Sequence, residues 1–188
     1  MKECFTAFDF ETANSQSHSA CQLGVAVVKN GRLVLEKSWL IRSPGKFFTF
    51  TYLHGITYAM VKDQPTFGEL WPEISPFFVR QIIAAHNADF DIGVLTATLA
   101  HYGLFVPEFH VIDSLAVARS AWPELKNHRL STVAAHLNIA LKHHDAASDA
   151  KACAEIILRA GQQHVEINRV VNKPMTVSLD LFGGDYYG

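Results

Sequence analysis

Residues 4–10 (CFTAFDF) are apolar and aromatic with Thr6 among them, the pattern of a buried strand, and residues 21–29 (CQLGVAVVK) make a second. Asn30-Gly31 supplies the two positive φ angles of a type I′ turn, so the run from Arg32 to Arg42 should return antiparallel to the second strand. From Ser43 to His54 the chain reads as a loop. Thr66 to Glu69 (TFGE) then has the form of a capping box opening a helix that Pro72 and Pro76 must kink or shorten. The run IIAAH (82–86) predicts a short buried strand, followed by a helix from about Ala88 that Gly103 ends at its C′ position. FHVID (109–113) predicts another strand. Two further helices are expected, around Leu130–Leu137 and from about Ala146 to Arg159, where Ala150, Cys153, Ala154, Ile157 and Leu158 recur at helical spacing. A hairpin followed by strands alternating with helices implies an α/β fold: a mixed central sheet with an N-terminal antiparallel hairpin and flanking helices. After Gly161 the pattern decays, so the expected division is a domain over 1–163 and a C-terminal tail over 164–188.

Composition narrows the function classes. Of 188 residues, 49% are hydrophobic and 18% charged, enough to build a core and too apolar for a disordered chain. The net charge of −2 excludes a broad basic surface that coats nucleic acid, so any contact with phosphates must be local. Three cysteines without a CxxC pair point away from a disulfide framework or a thiolate zinc site. The N-terminus meets Asp9 and Glu11 before any signal-like apolar run is complete, and no apolar stretch approaches the roughly 18 residues of a membrane span, so a soluble, cytoplasmic protein is expected.

Candidate chemistry lies in three places. Asp9 and Glu11 interrupt an apolar strand, where a carboxylate is costly unless compensated; at i and i+2 they share a face and suit a hard divalent cation, or are solvated acids at a strand end. Asp91, in HNADFD (86–91), lies on the first turn of a helix that follows a strand, placed either to point back at the sheet end or to stabilise the helix start. His144 precedes the last main helix and Asp149 follows five residues later; histidine is the side chain best able to exchange a proton near neutral pH, though a lone histidine is more often structural.

Together, FDFET (8–12), HNADFD (86–91) and His144 with Asp149 resemble, in order and spacing, the three motifs of the DEDDh superfamily of 3′-to-5′ exonucleases, the DnaQ-like group that includes polymerase proofreading subunits and oligoribonuclease. His54-Gly55-Ile56-Thr57 resembles the family's segment that packs against the terminal nucleotide. The likeness spans about residues 4–160 and implies a ribonuclease H-like fold. It also implies two Mg²⁺ or Mn²⁺ ions held by Asp9, Glu11, Asp91 and Asp149, with Asp9 bridging, and His144 as general base. Substrate contacts are expected from Thr12, Ala13, His54, Ile56 and Asn87. Gln22 stands where many relatives place an acid. Phe10, Phe48 and Phe90 are expected in the core, with stacking on bases as their other use, and Arg119, Trp122, Lys126, His128 and Arg129 form one basic segment suited to phosphates and a stacked base, or a solvated loop. The expected activity is removal of nucleoside 5′-monophosphates from single-stranded DNA ends in replication or repair. RNA or short oligonucleotides as substrate, and a non-catalytic nucleic-acid-binding module, are the alternatives.

In the tail, Ser178-Leu179-Asp180-Leu181-Phe182 resembles the short peptide by which bacterial replication and repair proteins dock on the sliding clamp, with Ser178 where glutamine is usual. Leu179, Leu181 and Phe182 would be the anchors in an apolar groove; the other use of these side chains is packing on the chain's own domain. Calorimetry of the 174–188 peptide on a sliding clamp should give micromolar-range binding, worth roughly 7 to 8 kcal/mol, that the Leu181→Ala, Phe182→Ala variant abolishes. Equal heats for both peptides, or none, would leave only self-packing.

Overall fold

A computed structural model describes residues 4–162 and 171–172. The anchors of the 178–182 motif therefore lie outside the described residues. Among the described residues, six strands form one mixed sheet in the order β3-β2-β1-β4-β5-β6: β1 (Phe5–Thr12), β2 (Ala20–Lys29), β3 (Arg32–Leu40), β4 (Ile82–Ala85), β5 (His110–Asp113) and β6 (Val171–Asn172). The Asn30-Gly31 turn takes the expected positive φ angles, 54° and 74°, and joins β2 to β3 antiparallel. β1 pairs antiparallel with β2 and parallel with β4, and β6, inside the stretch expected as a tail, pairs antiparallel with β5.

Among the described residues, seven helices accompany the sheet: α1 (Thr51–His54), α2 (Tyr58–Val61), α3 (Phe67–Ile74), α4 (Ala88–His101), α5 (Ser114–Ala121), α6 (Leu130–His136) and α7 (Ala146–Gln162). Thr66 and Glu69 form the capping box of α3, which runs through Pro72 to Ile74 and passes into a 3-10 turn at Ser75–Phe77. Gly103, at φ 64°, follows the last turn of α4. Three helices go beyond the sequence expectation. α1, inside the expected 43–54 loop, and α2 are single turns, too short to show a period. α5 starts without a loop: Asp113 ends β5 and its carboxylate also accepts the Leu115 N–H at 2.9 Å, capping the helix.

Alternation along β1 divides the core. Phe8 and Phe10 join a cluster with Phe67, Leu70 and Ile74 of α3 and Ile92, Leu95 and Leu99 of α4. Phe5 and Ala7 face the opposite cluster, built from Val117 and Ala118 of α5, Val133 of α6, and Ala150, Cys153, Ile156 and Ile157 of α7. Each fully buried large side chain contributes about 1.5–3 kcal/mol. The alanines of α7 keep its buried face shallow, and Ala146, Ala150, Ala152, Ala154 and Ala160 are all fully buried.

The closest approach is at Gly24, beside Asp9 in the β1–β2 register. A Cβ on Gly24 would lie 2.1 Å from both the backbone carbon and the oxygen of Ala146, so the first residue of α7 rests on bare β2 backbone. Gln22, two residues along the same strand, accepts the Ala146 N–H through its side-chain oxygen at 3.4 Å. Gly24→Ala should therefore destabilise the fold by about 1–3 kcal/mol or more, because backbone has to move. Gly93→Ala, on an exposed face of α4 with nothing within 4 Å, should stabilise it by about 0.5–1 kcal/mol. Urea unfolding of the two variants checks the contrast; equal effects would refute the close-packing account.

Candidate active site

Asp9 and Glu11 continue the face of β1 that carries Phe5 and Ala7, and where the apolar cluster ends they meet the start of α7. Asp149, in the first turn of α7, closes the group: ligand oxygens of Asp9, Glu11 and Asp149 all lie within 4.8 Å of one another. Asp91 arrives from the other side. The β1–β4 ladder stops at Ala7–Ala84, which leaves the next stretch of β1 without a strand on that side, and Asp91 Oδ1 accepts the Phe10 N–H there at 2.9 Å. The acid at the head of α4 is thus clamped to the backbone between Asp9 and Glu11.

Asp149 is held by its neighbours in the preceding turn. Its Oδ2 accepts the His144 N–H at 3.0 Å and lies 3.1 Å from His143 Nδ1. Its Oδ1 is buried with no hydrogen-bond partner among the described residues. A buried carboxylate oxygen left without a donor is costly, and a cation is what an oxygen so placed can satisfy. The other donors are also carboxylate oxygens, the set that suits hard divalent ions, so the residues present fit the metal expected from the sequence.

Crowding shows in the electrostatics. Burial first, then the charges of Asp91, Asp149 and Glu11, push the Asp9 carboxyl well above the usual range. Burial and the charges of Asp149 and Asp91 lift Glu11 to about 8. Burial raises Asp91 to about 7 against the opposing hydrogen bond from Phe10, and it raises Asp149 despite the His144 N–H. His144 sits at φ 66°, its ring stacked on that of His143 at 4.0 Å, and burial together with the His143 charge lowers its pKa. It is therefore a neutral base at pH 7.

Asp9, Glu11, Asp149, His143 and His144 line a cleft of about 700 Å³. Phe50, Leu53, His54 and Phe90 form one part of its wall, and Arg119, Asn127, His128 and Arg129 another, with Thr12 and Asn87 also exposed to it. His54 bridges loop and strand: the Ile56 N–H donates to Nδ1 at 3.0 Å, and Nε2–H donates to the Thr12 carbonyl at 3.1 Å, so the ring is neutral. Asn87 projects from a left-handed backbone position, φ 65°, at the head of α4.

Not every expected contact reaches the cleft. Ala13 and Ile56 are buried beneath it in a small cluster with Cys21 and Val61, and both backbone groups of Ala13 are engaged, with Ser19 and Phe50. Asp91 is 2% exposed and lies behind the cleft wall. Phe90, expected in the core, is instead 53% exposed on the wall, whereas Phe10 is buried and Phe48 packs on the small cluster. In the basic segment, Arg119, His128 and Arg129 face the cleft but Trp122 is core. Phe50, Leu53 and His86 were not singled out from sequence. His86 ties the walls together: Nε2–H donates to the His128 carbonyl at 2.8 Å and Nδ1 accepts from Ser114 at 2.9 Å.

The raised carboxyl pKa values set the pH dependence of metal-free stability. Glu11 titrates near 8 and Asp91 near 7 when folded, against ordinary values of 4.5 and 3.8, so between pH 7 and 8.5 the folded state binds more protons than the unfolded one. Stability must fall as pH rises through that window. Thermal melts in EDTA should show a lower Tm at pH 8.5 than at pH 7, and Mg²⁺ should raise Tm more at the higher pH. A metal-free Tm that rises over this range would contradict the assignment.

The exonuclease family model RNase T matches residues 6–157. DNA polymerase III PolC-type of Clostridium perfringens is 35% identical over 157 residues, 81% of this chain and 11% of the polymerase. The PolC-type protein of Caldanaerobacter subterraneus is 33% identical over 167 residues, 87% of this chain and 12% of its own. The chain thus spans only about a ninth of the length of these relatives. Among solved structures, the nuclease domain of 3′hExo, a DEDDh family member bound to rAMP, superposes with a TM-score of 0.78 at 16% identity, covering 93% of this chain and 98% of that one. Exonuclease X in complex with 5′ overhanging duplex DNA gives 0.72 at 22% identity, covering 88% and 96%. The ribonuclease H-like fold expected from the motifs is therefore the fold observed, and the chain belongs to the RNase T family of exonucleases, with Asp9, Glu11, Asp149 and His144 lining its cleft and Asp91 behind it.

Proposed function

We propose that this exonuclease degrades single-stranded DNA from the 3′ end, releasing nucleoside 5′-monophosphates in replication or repair. The observation that carries this reading is the buried, unpartnered oxygen of Asp149 beside Asp9 and Glu11, with His144 at the same end of α7. Similarity to the PolC-type polymerases favours DNA over RNA and replication over RNA turnover.

Asp9, Glu11 and Asp149 would hold two Mg²⁺ or Mn²⁺ ions, with Asp91 supporting them from behind β1. When bound, such a pair stabilises charge on both the attacking and the leaving oxygen of a phosphodiester. The chain's own residues do the rest. His144, neutral at pH 7, takes the proton of the attacking water on a ring nitrogen. Arg119 and Arg129 meet phosphates, while Phe90, Phe50 and Leu53 offer an apolar surface to the terminal bases. Thr12, His54 and Asn87 border the scissile end; Ala13 and Ile56 act from below, by shaping the loop that carries His54. The workplace is the cytoplasm, a placement in keeping with the fact that no helix among the described residues is long and apolar enough to cross a membrane. The 178–182 motif would tether the nuclease to a sliding clamp.

Digestion of matched 3′-labelled DNA and RNA single strands with Mg²⁺, Mn²⁺ or EDTA should show metal-dependent shortening of DNA; faster loss of RNA would establish the exoribonuclease reading, and binding without cleavage the non-catalytic one. Asp9→Asn and Asp149→Asn should each abolish nearly all hydrolysis with circular dichroism unchanged. His144→Ala should lower kcat by about 10²- to 10⁴-fold with KM little altered, as expected of a group that acts in the transition state. Normal turnover with lost binding would make His144 a positioning residue.

A further inference from the structure

His143 faces the cleft beside His144 and has no part in the chemistry above. Its Nδ1 lies 3.1 Å from Asp149 Oδ2, its ring stacks on His144 at 4.0 Å, and ligand atoms of His143, His144 and Asp149 all fall within 4.8 Å of one another. Donors around a tetrahedral zinc ion sit about 3.3 Å apart, since zinc–nitrogen and zinc–oxygen bonds are about 2.0–2.2 Å. His143 Nδ1 and Asp149 Oδ2, 3.1 Å apart, already have that spacing; the third donor lies within 4.8 Å, and the two stacked rings must turn from one another for both to ligate one ion. Its chemistry also differs from that of the neighbouring carboxylates: two imidazoles and one carboxylate prefer a borderline-soft ion, whereas an all-oxygen set prefers magnesium.

We propose that His143, His144 and Asp149 bind a zinc-like divalent ion, and that its occupancy inhibits the nuclease. Two observations besides the ligand set support a site. Asp149 is 4% exposed and its Oδ2 already faces His143 Nδ1 at 3.1 Å, so an ion there would replace that one hydrogen bond while the His144 N–H keeps the carboxylate in place. The His143 side chain is 46% exposed, which gives solvent a way in and leaves a fourth position open to water or a phosphate oxygen. Both metal sites draw on Asp149, so zinc among the histidines competes for that carboxylate's charge, and zinc ligation also takes the lone pair by which His144 would accept a proton. Inhibition rests on the nuclease reading given above; binding does not.

The test starts with calorimetric titration of Zn²⁺ into the metal-free full chain, without Mg²⁺ or nucleic acid. His143→Gln should weaken zinc binding at least about tenfold, because even an outer-sphere partner of a metal ligand is worth about 10- to 100-fold. Glu11→Gln, which disrupts the carboxylate trio but leaves this one intact, should weaken it less. The reverse order, or unaltered binding in His143→Gln, would overturn the site and put zinc among the acids. Circular dichroism of both variants checks folding. In Mg²⁺-driven digestion, the zinc concentration that halves each protein's own rate should rise about tenfold in His143→Gln; an unchanged value would overturn the inhibitory role. A chain that binds zinc as described yet digests nothing would refute the nuclease reading and leave the site standing.

Discussion

The site depends on how closely α7 can approach the sheet. Asp149 and His144 belong to the start of one helix, Asp9 and Glu11 to the end of one strand, and their meeting is set where Ala146 rests on Gly24. Any side chain at Gly24 would lift the helix. The same strand adds an attractive contact: Gln22 receives the first N–H of α7, a donor that no turn of the helix itself can satisfy. A neutral amide serves here where an acid would bring another negative charge beside Glu11, its partner in the register. A void and a hydrogen bond on β2, two residues apart, thus fix the distance between two halves of a site to which β2 supplies no ligand.

That closeness has an electrostatic cost. Four carboxyl groups share one end of the sheet, three of them less than a tenth exposed, and burial is the largest cause of the raised pKa in each of the four. The chain offsets part of this with backbone donors, Phe10 N–H to Asp91 and His144 N–H to Asp149, but Asp149 Oδ1 is left over. Divalent cations supply what the backbone does not. Strain of this kind belongs in a site that binds ions: a fully satisfied cluster would have less to gain from them.

How much of this could be read from the sequence follows from the range of each signal. The hairpin, the capping box of α3 and the strand–helix unit around Asp91 rest on local turn and cap chemistry, and all were legible. So were the carboxylates, since an acid inside an apolar strand is conspicuous in one dimension. Missed features are those whose cause is distant or too short to repeat. α1 and α2 are single turns, α5 hides behind a residue shared with β5, and Phe90 became a wall residue only because Asp91, one position later, turns inward to Phe10. Ala13 and Ile56 were placed by resemblance at the substrate, but the small apolar cluster under His54 needs them as its floor. The close contact at Gly24 joins positions 24 and 146, and no local pattern announces it.

The charge distribution explains how a chain of net charge −2 can take a polyanion into an acidic cleft. Arg119 and Arg129 stand on the cleft wall and give phosphates a local attraction. The carboxylates would repel a phosphate until ions neutralised them, and a phosphate in turn would add oxygen ligands to those ions. Ion and nucleic acid must then strengthen each other's binding by the same factor, as linkage requires. On the proposed function, a strand end would rest on the apolar and basic residues of the wall without its last phosphodiester being engaged, and would enter fully only with the ions bound.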